Sequence, residues 1–374
     1  MRRPQRLRTP ANRLRMLVAV ARPPVFLLLA VYTALGTAGA GRPEDHLLLG
    51  RALVPVAAFL MFSVAVNDLA DERIDRVNLP GDPRRPLVGA GALRAEMTAV
   101  AVVCAAVATA GGFLLGPWPG LVVTAGLLLS AGYSLRPVRL SDRGAVAALV
   151  LPGCYVAVPY LLGWLAAAPA PHGRGLLLPA GLYVGFVGRI LLKDFRDVRG
   201  DALFGKRTFL VRHGRVWTCR FSAAGWTVGC ALVLAGAPSP TPALVAVWGV
   251  HLVAVLWVLR RLAAQAHPRR EELLITAAAI LGRGMLLVLL AHESMLPLGW
   301  SPLVCAAVPA ALLALTLGQV RVMLRHGPLV RLSLPLPEAA AEGGSRPTGV
   351  RPAAATAAGT YGPPPPEEAT ARGR

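Results

Sequence analysis

Long apolar runs constrain the fold of this 374-residue chain more than any other feature of its sequence. Apolar residues make up 55% of the chain and charged residues 16%, whereas a soluble domain has about 25% charged residues. A membrane-spanning helix needs about 20 mostly apolar residues. Segments of this kind cover residues 16–40, 47–66, 96–116, 119–135, 144–167, 175–192, 218–236, 241–259, 272–291 and 301–323. The sequence therefore predicts an all-α integral membrane protein with nine to ten transmembrane helices.

The arginines are distributed unevenly among the loops that join these segments. If the N-terminus is cytoplasmic, nearly all loop arginines fall on the cytoplasmic side, and only Arg42, Arg51 and Arg174 fall opposite. This bias follows the positive-inside rule. The net charge of +20 is scattered between apolar runs, which argues against a nucleic-acid partner. The Arg-, Ala-, Gly- and Pro-rich composition indicates a bacterial chain, so we expect a multi-pass protein of the plasma (inner) membrane.

Four regions are predicted along the chain. Residues 1–15 form a basic cytoplasmic segment, which we expect to lead into an uncleaved first helix. Residues 16–292 form the main membrane domain, and residues 293–334 add a C-terminal transmembrane helix with its flanks. Residues 335–374 are rich in Pro, Ala and Gly, a composition typical of a disordered tail.

Two carboxylate clusters stand out, because they contain six of the nine aspartates in the chain. Both follow the pattern D-x-x-D-x-x-x-D, which places three carboxylates on one face of a helix. Their residues are Asp68, Asp71 and Asp75, and Asp194, Asp197 and Asp201. Stacked like charges need a compensating cation, and oxygen ligands shared with a phosphate suit Mg²⁺. The alternative interpretation is that both clusters are solvated surfaces whose charge is neutralised by neighbouring arginines.

The two lysines of the chain, Lys193 and Lys206, flank the second cluster. A lysine offers a compact point charge, which suits a diphosphate oxygen, although chance placement in a basic loop is the alternative. No nucleophile is paired with a base. These residue types favour ionisation of a diphosphate-activated substrate, in which cations stabilise the negative charge of the leaving diphosphate within a dry cavity.

Four stretches of the sequence resemble the motifs of one family. Asn67–Asp75 matches N-D-x-x-D-x-x-x-D, and its continuation to Gly89 resembles D-R-x-N-x-P…R-P-L-x-x-G. Tyr133–Leu140 resembles Y-S-x-x-P-x-R-L, and Lys193–Thr208 is similar to K-D-x-x-D-x-x-G-D-x-x-x-G-K-R-T. Over about residues 16–292 the chain resembles the UbiA superfamily of intramembrane prenyltransferases, in particular those like 4-hydroxybenzoate polyprenyltransferase.

The resemblance implies a helical bundle around a central cavity, capped at the cytoplasmic face by the Asp-bearing loops. It implies Mg²⁺ as cofactor and a prenyl diphosphate as substrate. Asp71, Asp197, Lys193 and Tyr133 would act in catalysis, and Asn67, Lys193, Arg85 and Arg139 would bind the diphosphate. The implied metal ligands are Asn67, Asp68, Asp71, Asp75, Asp194, Asp197 and Asp201.

The predicted reaction is transfer of the prenyl group, through an allylic cation, to an aromatic or quinone-precursor acceptor. The same clusters would serve an intramembrane terpene cyclase, or prenyl transfer to a non-aromatic acceptor, and these alternatives stay open. A secondary transporter is a more distant alternative, because transporter sites lie near the bilayer midplane and these clusters lie at predicted helix ends.

Three arginines fall inside or beside apolar runs, where charge is costly and usually faces a cavity or a partner. Arg189 lies one helical turn before Lys193 and is expected to line the same cavity. Arg283 has no acidic residue nearby in sequence, so it either binds an acceptor carboxylate or pairs with another helix. Arg22 lies next to Pro23 and is expected only to extend its charge to the membrane surface.

Overall fold

The computed structural model describes residues 10–78, 82, 85–89, 92–169, 173–195, 208–265 and 267–327, and all regular structure within these ranges is helical. The predicted positions Asp197, Asp201 and Lys206, and the predicted tail, lie outside them. The helices are α1 (Pro10–Ala21), α2 (Pro23–Gly39), α3 (His46–Asn78), α4 (Arg94–Leu115), α5 (Pro117–Ser134), α6 (Ala145–Pro152), α7 (Val158–Ala167), α8 (Leu177–Ile190), α9 (Phe209–Gly236), α10 (Pro242–Ala263), α11 (Pro268–Met295) and α12 (Pro302–His326).

Every predicted apolar segment coincides with one helix or with two consecutive helices, so the all-α membrane fold is confirmed. Seven helices in the described part of the chain are long and apolar enough to cross a membrane when α6 and α7 are counted as one, and counting α1 and α2 as one bent span would make eight. Of the others, α5 has 18 residues and α8 only 14. Since 14 residues extend about 21 Å, α8 is shorter than the hydrocarbon core. The count of nine to ten spans stays a prediction.

The first apolar segment is divided at Arg22, which the sequence placed inside a single helix. Helices α1 and α2 meet there at an angle of 45°. Arg22 adopts the left-handed conformation (φ 42°, ψ 67°), and Pro23 and Pro24 begin α2. Proline suits the first helical turn because it lacks an N–H. A non-glycine residue seldom adopts positive φ, so contacts of the Arg22 side chain must hold this bend.

A π-helical turn, Gly153–Ala157, separates α6 from α7. It follows Pro152, whose missing N–H breaks the α-helical hydrogen-bond ladder. Turns of this kind often occur at functional sites. Here the turn carries Tyr155, whose ring stacks on Phe186 of α8 with centroids 5.5 Å apart.

The buried side chains form two hydrophobic clusters, which meet at α2 and α7. The first cluster combines α3, α4 and α5 with one face of α2, represented by Leu29. The second combines the five helices from α8 through α12 with another face of α2, represented by Leu28. Helix α7 contributes Leu162 to the first cluster and Tyr160 to the second. These two helices therefore couple the half of the protein that carries Asp68, Asp71 and Asp75 to the half that carries Asp194.

Helices α8 and α9 approach so closely that their backbones touch. A Cβ on Gly181 would lie 2.6 Å from the backbone nitrogen of Val233, and a Cβ on Gly229 would lie 2.6 Å from that of Gly185. The Ser222 hydroxyl donates a 2.7 Å hydrogen bond to the carbonyl of Gly188 across the same contact. In lipid, helix association relies on such close packing of small residues. This contact fixes the position of Lys193 and Asp194, which follow α8.

Replacing Gly229 with leucine should destabilise the protein, because the new side chain has no space between α8 and α9. Overpacking a close contact typically costs about 1–3 kcal/mol or more. The matched control is Gly249→Leu, since a Cβ at Gly249 of α10 meets no atom within 4 Å. Thermal unfolding in detergent should show a clear loss of Tm for Gly229→Leu only. Equal Tm values for the two variants would contradict the role assigned to this contact.

Candidate active site

The first carboxylate cluster lies on α3 itself, as the spacing of its aspartates predicted, and not in a capping loop as the family resemblance implied. The apolar segment ends near residue 66, but α3 continues to Asn78, about three turns further. Within this extension Glu72 accepts a 2.6 Å hydrogen bond from Arg76, one turn later. Asp68 is 2% exposed and Asp75 is 7% exposed. The predicted alignment of three carboxylates on one helix face is confirmed, and two of them are buried.

Two arginines neutralise the buried carboxylates Asp68 and Asp75. Arg22, at the bend between α1 and α2, lies 3.0 Å from Asp68 Oδ1. Arg85, in the segment after α3, contacts the same oxygen and lies 3.3 Å from Asp75 Oδ2. Burial acts to lower the pKa of Arg85, but the charges of Asp68 and Asp75 outweigh it and raise the pKa above its ordinary value. Arg85 therefore stays cationic at the centre of this cluster.

Arg139 neutralises the third carboxylate of the cluster. Its guanidinium lies 2.7 Å from Asp71 Oδ1 and 2.8 Å from Asp142 Oδ2. The Asn67 amide donates to the other Asp71 oxygen at 3.1 Å. Arg139 has positive φ (32°), so its backbone, like that of Arg22, adopts an unusual conformation while its side chain contacts the cluster. Among the described residues, arginines thus supply the positive charge that balances this cluster. The sequence analysis had left open whether a metal or neighbouring arginines would do so.

Tyr133 lies within electrostatic reach of the first carboxylate cluster and of the start of the second. It lies near the end of α5 and is close enough to Asp71, Lys193 and Asp194 for their charges to act on its hydroxyl. Tyr155 is the other tyrosine beside it. The structure thus brings together, around one side chain, residues that lie 120 positions or more apart in sequence. The prediction that Tyr133 acts in catalysis is not tested by this proximity and stays a prediction.

Helices α9 and α11 hold the beginning of the second motif. Phe195 is buried, and the guanidinium of Arg215 lies 5.2 Å from the centre of its ring. Arg215 also forms a 2.6 Å ion pair with Glu271 at the start of α11. A cation over an aromatic face gains electrostatic energy when it is partly desolvated. These contacts fix the chain next to Lys193 and Asp194, both of which make interactions in the structure.

The residues of the first cluster fit a hard divalent cation, although a complete metal site is not assembled in the described ranges. No group of three Asp, Glu, His or Cys side chains within those ranges is arranged to hold a metal ion. Oδ2 of Asp68, however, is buried and has no hydrogen-bond partner there. Oxygen donors of this kind suit Mg²⁺, which keeps waters and shares carboxylates with substrate phosphates. The remaining predicted ligands, Asp197 and Asp201, lie outside the described residues.

A cavity lies within the second hydrophobic cluster. Its wall comes from α2, α8, α9, α10 and α11 and is mostly aromatic and aliphatic. Tyr32, Phe186, Trp226 and Trp248 provide the aromatic surface. Arg189 is the charged residue of this wall, whereas Lys193, which the sequence analysis expected in the same cavity, is not among the lining residues. The cavity is therefore an apolar chamber with one guanidinium in its lining.

Two contributors to the site were not predicted from the sequence. Arg22 was expected only to extend to the membrane surface, but it pairs with Asp68, 46 positions away. Tyr155 stacks on Phe186 and lies beside Tyr133. The Pro152-Gly153 pair before Tyr155 was a possible signal, because proline and glycine interrupt helices. No local pattern could have assigned Arg22 to Asp68.

Comparison with known proteins agrees with the resemblance seen in the motifs. A sequence model of the UbiA prenyltransferase family matches residues 27–281. The chain is 27% identical to the bacteriochlorophyll synthase 34 kDa chain of Chloroflexus aurantiacus, over 69% of this chain and 81% of that protein. It is 27% identical to digeranylgeranylglyceryl phosphate synthase of Methanothermobacter thermautotrophicus, over 62% and 77%. A solved structure described as a digeranylgeranylglyceryl phosphate synthase shares the fold, with TM-score 0.57 and 15% identity, covering 75% of this chain and 98% of that one.

Removing Arg85 should destabilise the protein when no metal is present, because Asp75 loses its cation and Asp68 keeps only Arg22. Breaking a buried ion pair on one side costs about 3–5 kcal/mol. The matched control is Arg76→Met, since Arg76 is 63% exposed and its pair with Glu72 is worth at most about 1 kcal/mol.

Thermal unfolding of Arg85→Met and Arg76→Met, each in EDTA and in Mg²⁺, checks this expectation. Arg85→Met should show much the larger loss of Tm in EDTA, and Mg²⁺ should recover part of it by occupying the carboxylates. The same Tm loss for both variants in EDTA would contradict a neutralising role for Arg85.

Proposed function

Because this chain belongs to the UbiA prenyltransferase family, we propose that it transfers a prenyl group from a prenyl diphosphate to an aromatic or quinone-precursor acceptor, with Mg²⁺ as cofactor. One observation carries the proposal. Three carboxylates on one face of α3, two of them buried, are held by arginines from three other segments, and the charges of Asp71, Lys193 and Asp194 all reach Tyr133. Such a concentration of charge in a membrane protein marks a functional site.

Each predicted residue has a role in binding the diphosphate or its metal. Arg85, Arg139 and Lys193 are the cations that would contact diphosphate oxygens, and the Asn67 amide would donate to one of them. Both arginines pair with carboxylates, and they would be free to contact the diphosphate if these carboxylates held the metal. The proposed metal ligands are Asn67, Asp68, Asp71, Asp75, Asp194, Asp197 and Asp201.

The reaction begins when the bond between C1 of the prenyl chain and the diphosphate oxygen breaks. The diphosphate leaves with the electron pair, and an allylic cation remains. A carbon of the acceptor ring then forms a bond to C1, and the ring loses a proton. When bound, Mg²⁺ supplies Lewis-acid stabilisation of the leaving diphosphate. The arginines and Lys193 stabilise the same developing charge, and the surrounding helices keep water from the cation.

The aromatic wall of the cavity supports an aromatic acceptor. The relatives act in the formation of different products, as their names state: a bacteriochlorophyll in one case and a digeranylgeranylglyceryl phosphate in the other. Similarity therefore does not select an acceptor class. Trp226, Trp248, Phe186 and Tyr32 together offer flat apolar surface in the cavity wall, which suits a ring. The active site would open at the cytoplasmic face of the plasma membrane, in accord with the arginine distribution.

Membranes that contain the protein should convert a radiolabelled prenyl diphosphate into an organic-soluble product. The assay combines geranyl, farnesyl or geranylgeranyl diphosphate with 4-hydroxybenzoate, homogentisate or dihydroxynaphthoate, in Mg²⁺ or EDTA. We expect a product that requires both Mg²⁺ and one acceptor. A product that forms without any acceptor would instead identify a cyclase.

Replacing Asp71 or Asp197 with asparagine should reduce turnover by at least about 100-fold, because each substitution removes a charge that would hold the metal. Asp45→Asn is the matched control. Asp45 lies before α3, outside the carboxylate clusters, where its side chain accepts a hydrogen bond from the Leu48 amide, and asparagine makes an equally good cap. Membrane insertion should be unchanged in all three variants. Full activity in Asp71→Asn would refute the metal-site assignment.

A further inference from the structure

Six exposed arginines flank the place where the beginning of α9, the end of α10 and the beginning of α11 meet. Arg215 joins these three helix ends, because its guanidinium donates to the Leu262 carbonyl at 3.3 Å and forms a 2.6 Å ion pair with Glu271. The six exposed arginines are Arg212, Arg220, Arg260, Arg261, Arg269 and Arg270. None of the six pairs with an acidic side chain in the described part of the chain. Like charges concentrated on one surface attract an anionic partner.

The first turn of α9 is folded back beside the rest of that helix. Gly214 interrupts the helix with a positive φ of 76°, which glycine adopts without a steric cost. The ring of Phe209 therefore lies 4.9 Å from the ring of Phe221, although twelve residues of straight helix would extend about 18 Å. The His213 ring lies 4.5 Å from the same phenylalanine ring. Residues Phe209–His213 thus lie against the side of α9 and do not continue its axis.

Exposed aromatic side chains accompany the arginines. Trp217 and Phe221 of α9 and Trp257 of α10 are each about half exposed. The guanidinium of Arg220 lies 5.3 Å from the centre of the Trp217 ring, and that of Arg261 lies 5.3 Å from the centre of the Trp257 ring. A guanidinium stacked on a ring keeps the N–H groups at its edge, which can bind two oxygens of a phosphate. Each pair therefore presents a flat apolar surface beside a phosphate-binding group.

Helix length places this surface at a boundary of the membrane. The part of α9 after the break at Gly214 has 22 residues, as does α10, and 22 residues extend about 33 Å, close to the hydrocarbon thickness of about 30 Å. Trp217 and Trp257 thus lie at the ends of these helices that the arginine distribution assigns to the cytoplasm. Tryptophan and arginine at this depth are typical of the lipid headgroup region. A soluble acidic partner would account for the arginines but not for the exposed rings.

We propose that the adjoining ends of α9, α10 and α11 form a binding surface for the headgroups of anionic phospholipids. The six exposed arginines bind the phosphates, and the rings of Trp217, Phe221 and Trp257 lie between the headgroups and the first part of the acyl chains. This inference goes beyond the proposed function and uses no residue assigned to the diphosphate or its metal. The surface borders the start of the second motif, because Arg215 at its centre also contacts the ring of Phe195.

Lipid binding can be measured by fluorescence quenching on the purified full-length protein in detergent, without any assay of turnover. Brominated phosphatidylglycerol is compared with brominated phosphatidylcholine of the same acyl chains, because bromine quenches a tryptophan that it contacts. Polyglutamate, a soluble polyanion, is added as a competitor. The test variants are the double substitutions Arg212→Gln with Arg220→Gln, and Arg260→Gln with Arg261→Gln. The matched control is Arg13→Gln with Arg15→Gln, which removes two exposed arginines from α1 and lowers the net charge equally.

Phosphatidylglycerol should quench the wild-type protein at a concentration at least about fivefold lower than phosphatidylcholine, because each nearby arginine adds to the attraction for an anionic lipid. Each test variant should lose most of this preference, whereas the control should keep it. Trp217→Phe should reduce the quenching by phosphatidylglycerol, because it removes a ring that reports on the surface. The substituted arginines are exposed, so all variants should unfold at the Tm of the wild type.

Three results would overturn the proposal. The first is equal quenching of the wild type by the two lipids. The second is a preference for phosphatidylglycerol that survives in both test variants, or that falls equally in the control, since the net charge alone would then explain it. The third is displacement of phosphatidylglycerol by polyglutamate, which would identify a site for a soluble acidic partner.

Discussion

Mutual repulsion among Asp68, Asp71 and Asp75 is the constraint on which the rest of the site depends. Three carboxylates on one face of α3, two of them buried, can persist in a membrane protein only if cations reach them. The cations come from three other segments: the α1–α2 bend, the chain after α3 and the chain after α5. Arg22 and Arg139 adopt positive φ, so this arrangement also involves unusual backbone conformations. The charge cluster therefore organises the chain around it as well as preparing it for a ligand.

The second half of the site depends on close packing instead of charge. Helix α8 is short, and the glycine contact with α9 holds it in place, so Lys193 and Asp194 follow from a fixed point. Arg215 then holds Phe195 from the side of α9 and α11. Electrostatic attraction thus shapes the α3 side, and van der Waals contact shapes the α8 side. Both are effective in lipid, where the hydrophobic effect contributes little to helix association.

The composition of the cavity wall is what favours a two-substrate reaction. A cyclase needs a cavity that fits only a hydrocarbon, whereas this wall contains Arg189 and two indole donors without partners among the described residues. These polar groups are a cost unless a second, oxygen-bearing molecule binds there. Phe186 of the cavity wall stacks on Tyr155.

The sequence by itself determined the membrane class, the helical segments and the alignment of Asp68, Asp71 and Asp75, because hydropathy and helical periodicity are local properties of the chain. Only the tertiary structure decided that Arg22 pairs with Asp68 and that Trp226 and Trp248 share a cavity with Arg189. These features join residues many positions apart in the chain. The apolar segments that carry them have similar compositions, so the sequence does not distinguish one from another. Which faces of these helices meet is set by packing, through glycines such as Gly229, and not by any local pattern.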